Sequence, residues 1–435
     1  MNALPPTVSS SSERPILFVC MAEWSRLRHT GLSELSRLPS VVEAANKSGQ
    51  RGVLWSKAHL IVPRYATHEA PAFNQADANH CEQISTAIAP KIVKGTQIDR
   101  IVADLPTNIT QWEAYADAVV PCIAQLAGSS VFHVLCIDWP MAPILTRLKS
   151  TPNCRTCFTV DLLPEDPAAR GLWNAGLAAA HSVHVATPYW RDRLAEQEPA
   201  LKAKTCVFVV LGIQEETCEV SQKARHKQAL LGQRWPNAPE GDIFFVVRNR
   251  LTKADQKNYA GLTKVLPVVI AEAARCSWSP KFLIGPLGDQ AETQFQPIMS
   301  GLSDLAQKYP NNIWLESPEE TKSRAWSTVL KACDSVIVPS IFEPCGINHA
   351  QAMQYHAVPV CSRIGAMGQR PMSERNSFQY DVKDGEAGLT RSLMAACHTY
   401  YERRIDWSIM TEAAFVSSKY YVWQNLLSDY GKLFG

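Results

Sequence analysis

Between Val336 and Gly365 the chain reads VIVPSIFEPCGINHAQAMQYHAVPVCSRIG. Val336, Ile337 and Val338 are a β-branched run suited to a buried strand. Pro339 and Ser340 end it. Good helix formers follow between Asn348 and His356, and Val358, Pro359 and Val360 open another strand. This strand–loop–helix–strand order belongs to an α/β domain. The loop, Phe342-Glu343-Pro344-Cys345-Gly346, places a carboxylate and several backbone N–H groups at a helix N-terminus. Such an end attracts anions and hydroxyl oxygens, because its first N–H groups lack intrahelical partners and carry the positive end of the dipole. Gly346 lets backbone approach a ligand closely. Taken alone, an ordinary strand-to-helix turn explains the same residues equally well.

The same alternation runs through the chain. Ile16 to Cys20 is a first apolar strand, followed by a polar loop that holds Arg28, Thr30 and Gly31. Arg28 and the Gly31 amide could hold a phosphate there, at the carboxyl end of a strand; a basic surface loop is the plainer reading. Strands are expected at His59–Val62, Ile98–Ala103, Val131–Ile137, Cys157–Val160, Val183–Ala186 and Val207–Leu211, with a helix over Ile109–Ala127. Asp138 and Asp161 each follow a strand, where ends face a cleft. A second series is expected at Ile243–Val247, Phe282–Gly285, Ile313–Glu316, Val336–Val338 and Val358–Cys361. Such spacing implies mostly parallel, doubly wound sheets.

A chain of 435 residues exceeds what one core usually supports. The expected division is a disordered Pro/Ser-rich leader (1–14), an N-terminal α/β domain (15–224), a linker (225–241), a second α/β domain (242–405) and an aromatic-rich C-terminal helix (406–435). The leader lacks the basic and apolar regions of a signal peptide. A formal charge of +2 predicts no bulk attraction to nucleic acid or an acidic membrane. No apolar run reaches the roughly 18 residues that cross a bilayer. Several of the thirteen cysteines lie in apolar segments, which points to a reducing, cytoplasmic setting. Cys154 and Cys157 form a lone CxxC, read as coincidence. His349 and His356 lie seven apart with no third ligand, and are read as structural.

The second domain's first strand leads into a basic loop with Arg248, Arg250, Lys253 and Lys257, where βα loops bind ligands. A charge run is more often a solvated face. Beside the Glu343–Ile347 turn, however, Arg250 and Lys257 suit a phosphorylated ligand, and could stabilise a departing diphosphate. No Walker loop and no GxGxxG after the first strand appear, which argues against NTP hydrolysis and dehydrogenase chemistry.

PSIFEPCGINHAQAMQYHAVPV resembles the signature of retaining glycosyltransferases of the two-domain GT-B fold, above all glycogen and starch synthases. Other stretches are similar in order: HLIVPRY, CIDWPMAP, FTVDLL, LGIQ, the run FFVVRNRLTKADQKNYAGL, and the closing YYVWQNLLSDYGKLFG. The resemblance implies two Rossmann-like domains facing across a cleft, with the C-terminal helix crossing back onto the first. It implies transfer of a hexose, glucose first, from a UDP-, ADP- or GDP-sugar to a glycan, small-molecule or protein acceptor, with no metal or other cofactor. Arg250 and Lys257 would stabilise the leaving diphosphate, and Glu343 would hold the donor sugar. The turn at Cys345, Gly346 and Ile347 would support sugar and phosphate, and Gln351 occupies the second acidic position of the family's pattern. Arg28, Thr30 and Gly31 take the place of its Lys-x-Gly-Gly loop. Ile137 and Asp161 stand where the family has histidines, Asp161 beside the donor sugar. These departures leave a second reading, a catalytically degenerate relative that binds sugar or a partner, and a third, a phosphorylase-type use of the fold.

Overall fold

The computed structural model describes residues 14–21, 38–50, 53–61, 82–87, 89–93, 109–160, 167–185, 188–197, 199, 201–207, 212–213, 215–216, 219–252, 255–287, 293–343, 346–368 and 372–434. Two sheets organise them. The first contains β1 (Ile16–Met21), β2 (Lys57–Ile61), β3 (Glu82–Ala87), β4 (Ala89–Val93), β5 (Phe132–Ile137), β6 (Cys154–Val160), β7 (Ser182–Val185) and β8 (Thr205–Val207). The second contains β9 (Phe244–Val247), β10 (Lys281–Ile284), β11 (Ile313–Leu315), β12 (Ser335–Val338), β13 (Val358–Ser362) and β14 (Phe378–Tyr380). Their orders are β4-β3-β2-β1-β5-β6-β7-β8 and β11-β10-β9-β12-β13-β14. All pairings are parallel except β3 with β4.

Both sheets are covered on both faces, which is why their central strands read as unbroken apolar runs. In the first, Phe18, Cys20, Val134, Cys136 and Phe158 point to one face, under helices 109–127, 142–148 and 167–179. Leu17, Val19, Leu135, Ile137 and Cys157 point to the other. That second face is closed by helix 38–47 and by Trp423, Leu426, Leu427 and Tyr430 of helix Trp423–Gly431. The chain's end therefore crosses back from the second sheet to complete the first. The alternation also separates Cys154 from Cys157, which belong to opposite faces. Burial pushes the Cys154 thiol up to about 12, and the pair is inert core.

Two expectations change. The segment read as a linker, 225–241, is helical in its first part, since helix Val220–Leu231 runs into it. Leu230 and Leu231 pack into the second sheet's core, and Lys227 Nζ sits 2.6 Å from Asp334 and 2.8 Å from the Tyr400 hydroxyl. Its prolines and glycines punctuate only the part after the helix. The C-terminal helix is broken in two, Arg404–Ser418 and Trp423–Gly431. Val422 is extended between them, and its neighbours bond Ile213: Ile213 N donates to Tyr421 O at 2.8 Å and Trp423 N to Ile213 O at 3.2 Å. Finally, β3, β4 and β14 had no clear apolar signal, and the strand expected at Ile98–Ala103 lies outside the described residues.

Candidate functional site

The loop after β12 and the loop after β9 meet at the carboxyl ends of neighbouring strands. Three connections join them. Asn348 Nδ2 donates to Arg248 O (3.0 Å) and Asn249 Oδ1 (2.9 Å). Ile341 N donates to Gln256 O at 2.9 Å, and Gln256 Nε2 donates to Phe342 O at 2.7 Å. Lys257 Nζ makes a short ion pair with Glu343 Oε2. The β9 loop owes its shape to two left-handed residues, Asp255 (φ 44°) and Asn258 (φ 57°). Both cap the next helix: Asp255 accepts from the N–H groups of Tyr259 and Ala260, each at 2.8 Å, and Asn258 from Gly261 at 3.2 Å. Asp and Asn tolerate that region because their side chains bond locally.

Glu343 is buried but well supplied. Oε2 also accepts from Ser340 Oγ at 3.1 Å, and Oε1 from Gly346 N at 3.1 Å. A carboxylate offers about four acceptor positions, and donors among the described residues take three of them. Lys257 carries three donors, of which Glu343 takes one among the described residues. Arg250 is half-buried, and among the described residues its guanidinium has no hydrogen-bond or ion-pair partner. Arg248 is instead part of the wall. It is buried, donates to the carbonyls of Arg324 (2.9 Å) and Thr321, and faces Glu316. Burial holds its guanidinium below the usual range and lifts the Glu316 carboxyl.

Gly346 is left-handed, at φ 64°, and caps the short helix Ile347–Met353. A Cβ there would lie 3.0 Å from Met367 Cγ, 3.1 Å from His349 Nδ1 and 3.2 Å from Glu343 Cγ. Gly346→Ala is therefore expected to lower stability by about 1–2 kcal/mol, since left-handed backbone disfavours a Cβ. It should also displace Glu343; a melt and turnover both equal to the parent would contradict that. Beneath the helix, His349 Nε2 lies 3.0 Å from the Tyr421 hydroxyl. Burial holds this imidazole down at about 4, despite the nearby Glu343 charge. His349 is thus a neutral bolt between the site helix and the segment that crosses back, and His356 stacks separately on Phe415. Among the described residues no His, Cys, Asp and Glu group could hold a metal ion.

Comparisons with known proteins agree with this arrangement. No protein-family model matches the chain. A glycogen synthase from Rhodopseudomonas palustris is 34% identical over 152 residues, 34% of this chain and 27% of that protein. Glycogen synthase 2 of Agrobacterium fabrum is 26% identical over 223 residues, 49% of this chain and 40% of that protein. The chain thus matches less than half the length of these relatives. In three dimensions it is similar to the catalytic domain of starch synthase IV from Arabidopsis thaliana bound to ADP and acarbose. The TM-score is 0.69 at 14% identity, over 97% of this chain and 99% of that one. The chain has a glycogen/starch synthase-like GT-B fold.

In a GT-B chain the two sheets face one another, and here the contact is visible. Phe342, beside Glu343, packs against the first sheet's core cluster, as does Trp139. Ile347 packs against the cluster that holds the returning helix. The structure thus brings Lys257, Glu343, Gly346 and Ile347 together where the two strand-end loops meet, and Arg250 stands earlier in the same β9 loop. Gln351 is near but engaged, accepting from Trp326 Nε1 at 3.0 Å. Arg28, Thr30, Gly31, Asp161 and Cys345 lie outside the described residues. Ile137 is fully buried in β5, against the returning helix.

One residue absent from the sequence-derived site is conspicuous. Asp138 ends β5 at φ 67°, ψ 160°, a region nearly reserved for glycine. Its carboxylate accepts from Trp139 N at 2.7 Å. Burial nevertheless lifts its pKa from 3.8 to about 6. Strained backbone and a perturbed carboxyl beside the cleft mark a functional candidate. The sequence showed only an acid after a strand, and nothing in it encodes the dihedral angle.

Proposed function

We propose that this GT-B chain is a retaining glycosyltransferase that moves a hexose, glucose first, from a nucleotide-diphosphate sugar to an acceptor hydroxyl, forming an α-glycosidic bond. The observation that carries the proposal is the Lys257–Glu343 pair, set between two interlocked strand-end loops, one of which also carries Arg250. As the bond from the anomeric carbon to the diphosphate breaks, negative charge grows on the leaving oxygens. The ammonium of Lys257 and the guanidinium of Arg250 meet that charge, partly shielded from water. The N–H groups of the Gly346 turn add their dipoles. Glu343 takes a sugar hydroxyl, and Asp138 takes another from the opposite side of the cleft. Gln351, behind the first turn of the helix, positions it through Trp326. Arg28, Thr30, Gly31, Cys345 and Asp161 complete the donor site in this reading. Because fixed cations balance the diphosphate, the reaction needs no metal, and its rate is expected to stay within about twofold in excess chelator.

The donor is found by screening UDP-, ADP- and GDP-hexoses for a thermal shift and for hydrolysis without acceptor. A donor at about 100 times its dissociation constant should add about 2.7 kcal/mol to stability. If no sugar nucleotide is hydrolysed and Glu343→Ala changes nothing, the chain is instead a degenerate relative that binds sugar or a partner. Consumption of free phosphate would indicate the phosphorylase-type use.

A further inference from the structure

Far from the cleft, one helix breaks the usual rule for surface helices. Helix Arg404–Ser418 buries Trp407, Ala414 and Ser418. The opposite face of such a helix is normally polar. Here it carries Ile405 (78% exposed), Ile409 (61%) and Val416 (60%), continued by Tyr420 (43%) in the following turn. These are four of the eight large apolar side chains that stand exposed among the described residues. At about 100° per residue Ile405, Ile409 and Val416 fall within roughly 40° of arc, directly across from the buried face. Single exposed apolar residues are ordinary. A stripe that gathers half of them on one helix marks an interaction surface.

The spacing says what covers it. Positions 405, 409, 416 and 420 are separated by four, seven and four residues, the same from either end. A two-fold axis between Glu412 and Ala413 lays Ile405 on Tyr420 of a second copy and Ile409 on Val416. Such a self-complementary patch is what an isologous dimer requires. Ala413, at the midpoint, is small enough for close approach. The charges along the helix bear on the contact as well. A groove of about 590 Å³ between this helix and the turn 373–376 is lined by Arg375 and Glu412 among others. Among the described residues Arg375 has no ion-pair partner, and the exposed Glu412 reaches His356 at 3.8 Å. The axis brings the two Glu412 carboxylates near one another, and Arg375, lining the same groove, is the cation available to sit against them. A carboxylate in the middle of the stripe disfavours an anionic membrane as the partner.

We propose that this face is a homodimer interface, in which helices 404–418 of two copies pack antiparallel. Sedimentation velocity of the full chain, from about 1 to 100 μM, tests it. A dimer is expected. Ile409→Asp with Val416→Asp should raise its dissociation constant at least about 100-fold while the thermal melt stays in place, because both side chains point to solvent in one copy. Arg375→Glu and Glu412→Arg should each weaken it about tenfold, and the double reversal should restore it. A monomer throughout the range overturns the proposal. So does a dimer indifferent to the double Asp variant, and so does a monomer whose stripe binds anionic vesicles instead.

Discussion

Replacing Lys257 with alanine is expected to lower kcat/KM for the donor by a factor of about 10² to 10³, the usual cost of removing one preorganised charge from a transition state. Folding should suffer far less. The Lys257–Glu343 pair is largely buried, with side chains 14% and 9% exposed, so its loss is not free. Yet Glu343 keeps the Ser340 hydroxyl and the Gly346 N–H. Losing one of several donors to a carboxylate costs about 1–2 kcal/mol, a fall in Tm of a few degrees. The contrast is the point: a purely structural ion pair would lose stability and leave the turnover of the folded fraction unchanged. Lys257→Arg keeps the charge and should recover part of the rate. Equal kcat/KM in the alanine variant, measured with the donor the screen identifies, would remove Lys257 from the chemistry.

Much of this cleft was legible in the sequence because its parts are local. A β-branched run, a proline, a carboxylate and a glycine before helix formers specify a strand end and a helix start, and Glu343, Gly346 and Ile347 lie within that stretch. Lys257 and Arg250 were legible for the same reason, as cations in the loop after an unbroken apolar strand. The less legible features depend on distant partners. Arg248 looks like its neighbours in sequence, but burial between Arg324, Thr321 and Glu316 makes it part of the wall. The part of helix Val220–Leu231 beyond 224 reads as linker in sequence because 225–241 is polar and holds two prolines and two glycines; the two leucines that fix it find their core far along the chain. Val422 breaks the last helix only because Ile213 is there to bond the backbone beside it. β14 has three residues and no alternation, and exists because β13 offers it an edge.

Asp138 gives the second large effect, and it runs in opposite directions for stability and activity. Asp138→Gly should stabilise the fold while depressing turnover. Glycine occupies the φ 67°, ψ 160° geometry without the roughly 1–3 kcal/mol of strain a side chain incurs there, against about 0.5–1 kcal/mol of added chain entropy. The charge contributes separately. The folded pKa, about 6, lies above the unfolded 3.8, so between these values the folded state binds more protons than the unfolded one. Stability from this group is therefore greatest below about pH 4 and declines as pH rises to about 6, beyond which it is level. Two units correspond to about 3 kcal/mol; because Asp138 keeps part of its surface in solvent, about 2 kcal/mol is expected. Asp138→Asn retains an acceptor for the Trp139 N–H and abolishes the titration. Its advantage over the parent should thus be near zero at pH 4 and complete by pH 7, as read from urea midpoints at several pH values. Parallel profiles for the parent and the asparagine variant would show that Asp138 is ionised freely in the fold. Full activity in both variants would show that the strain serves no sugar. A stabler protein that turns over more slowly is the outcome expected if the reaction uses this strained carboxylate, because backbone strain of this kind clusters at functional sites.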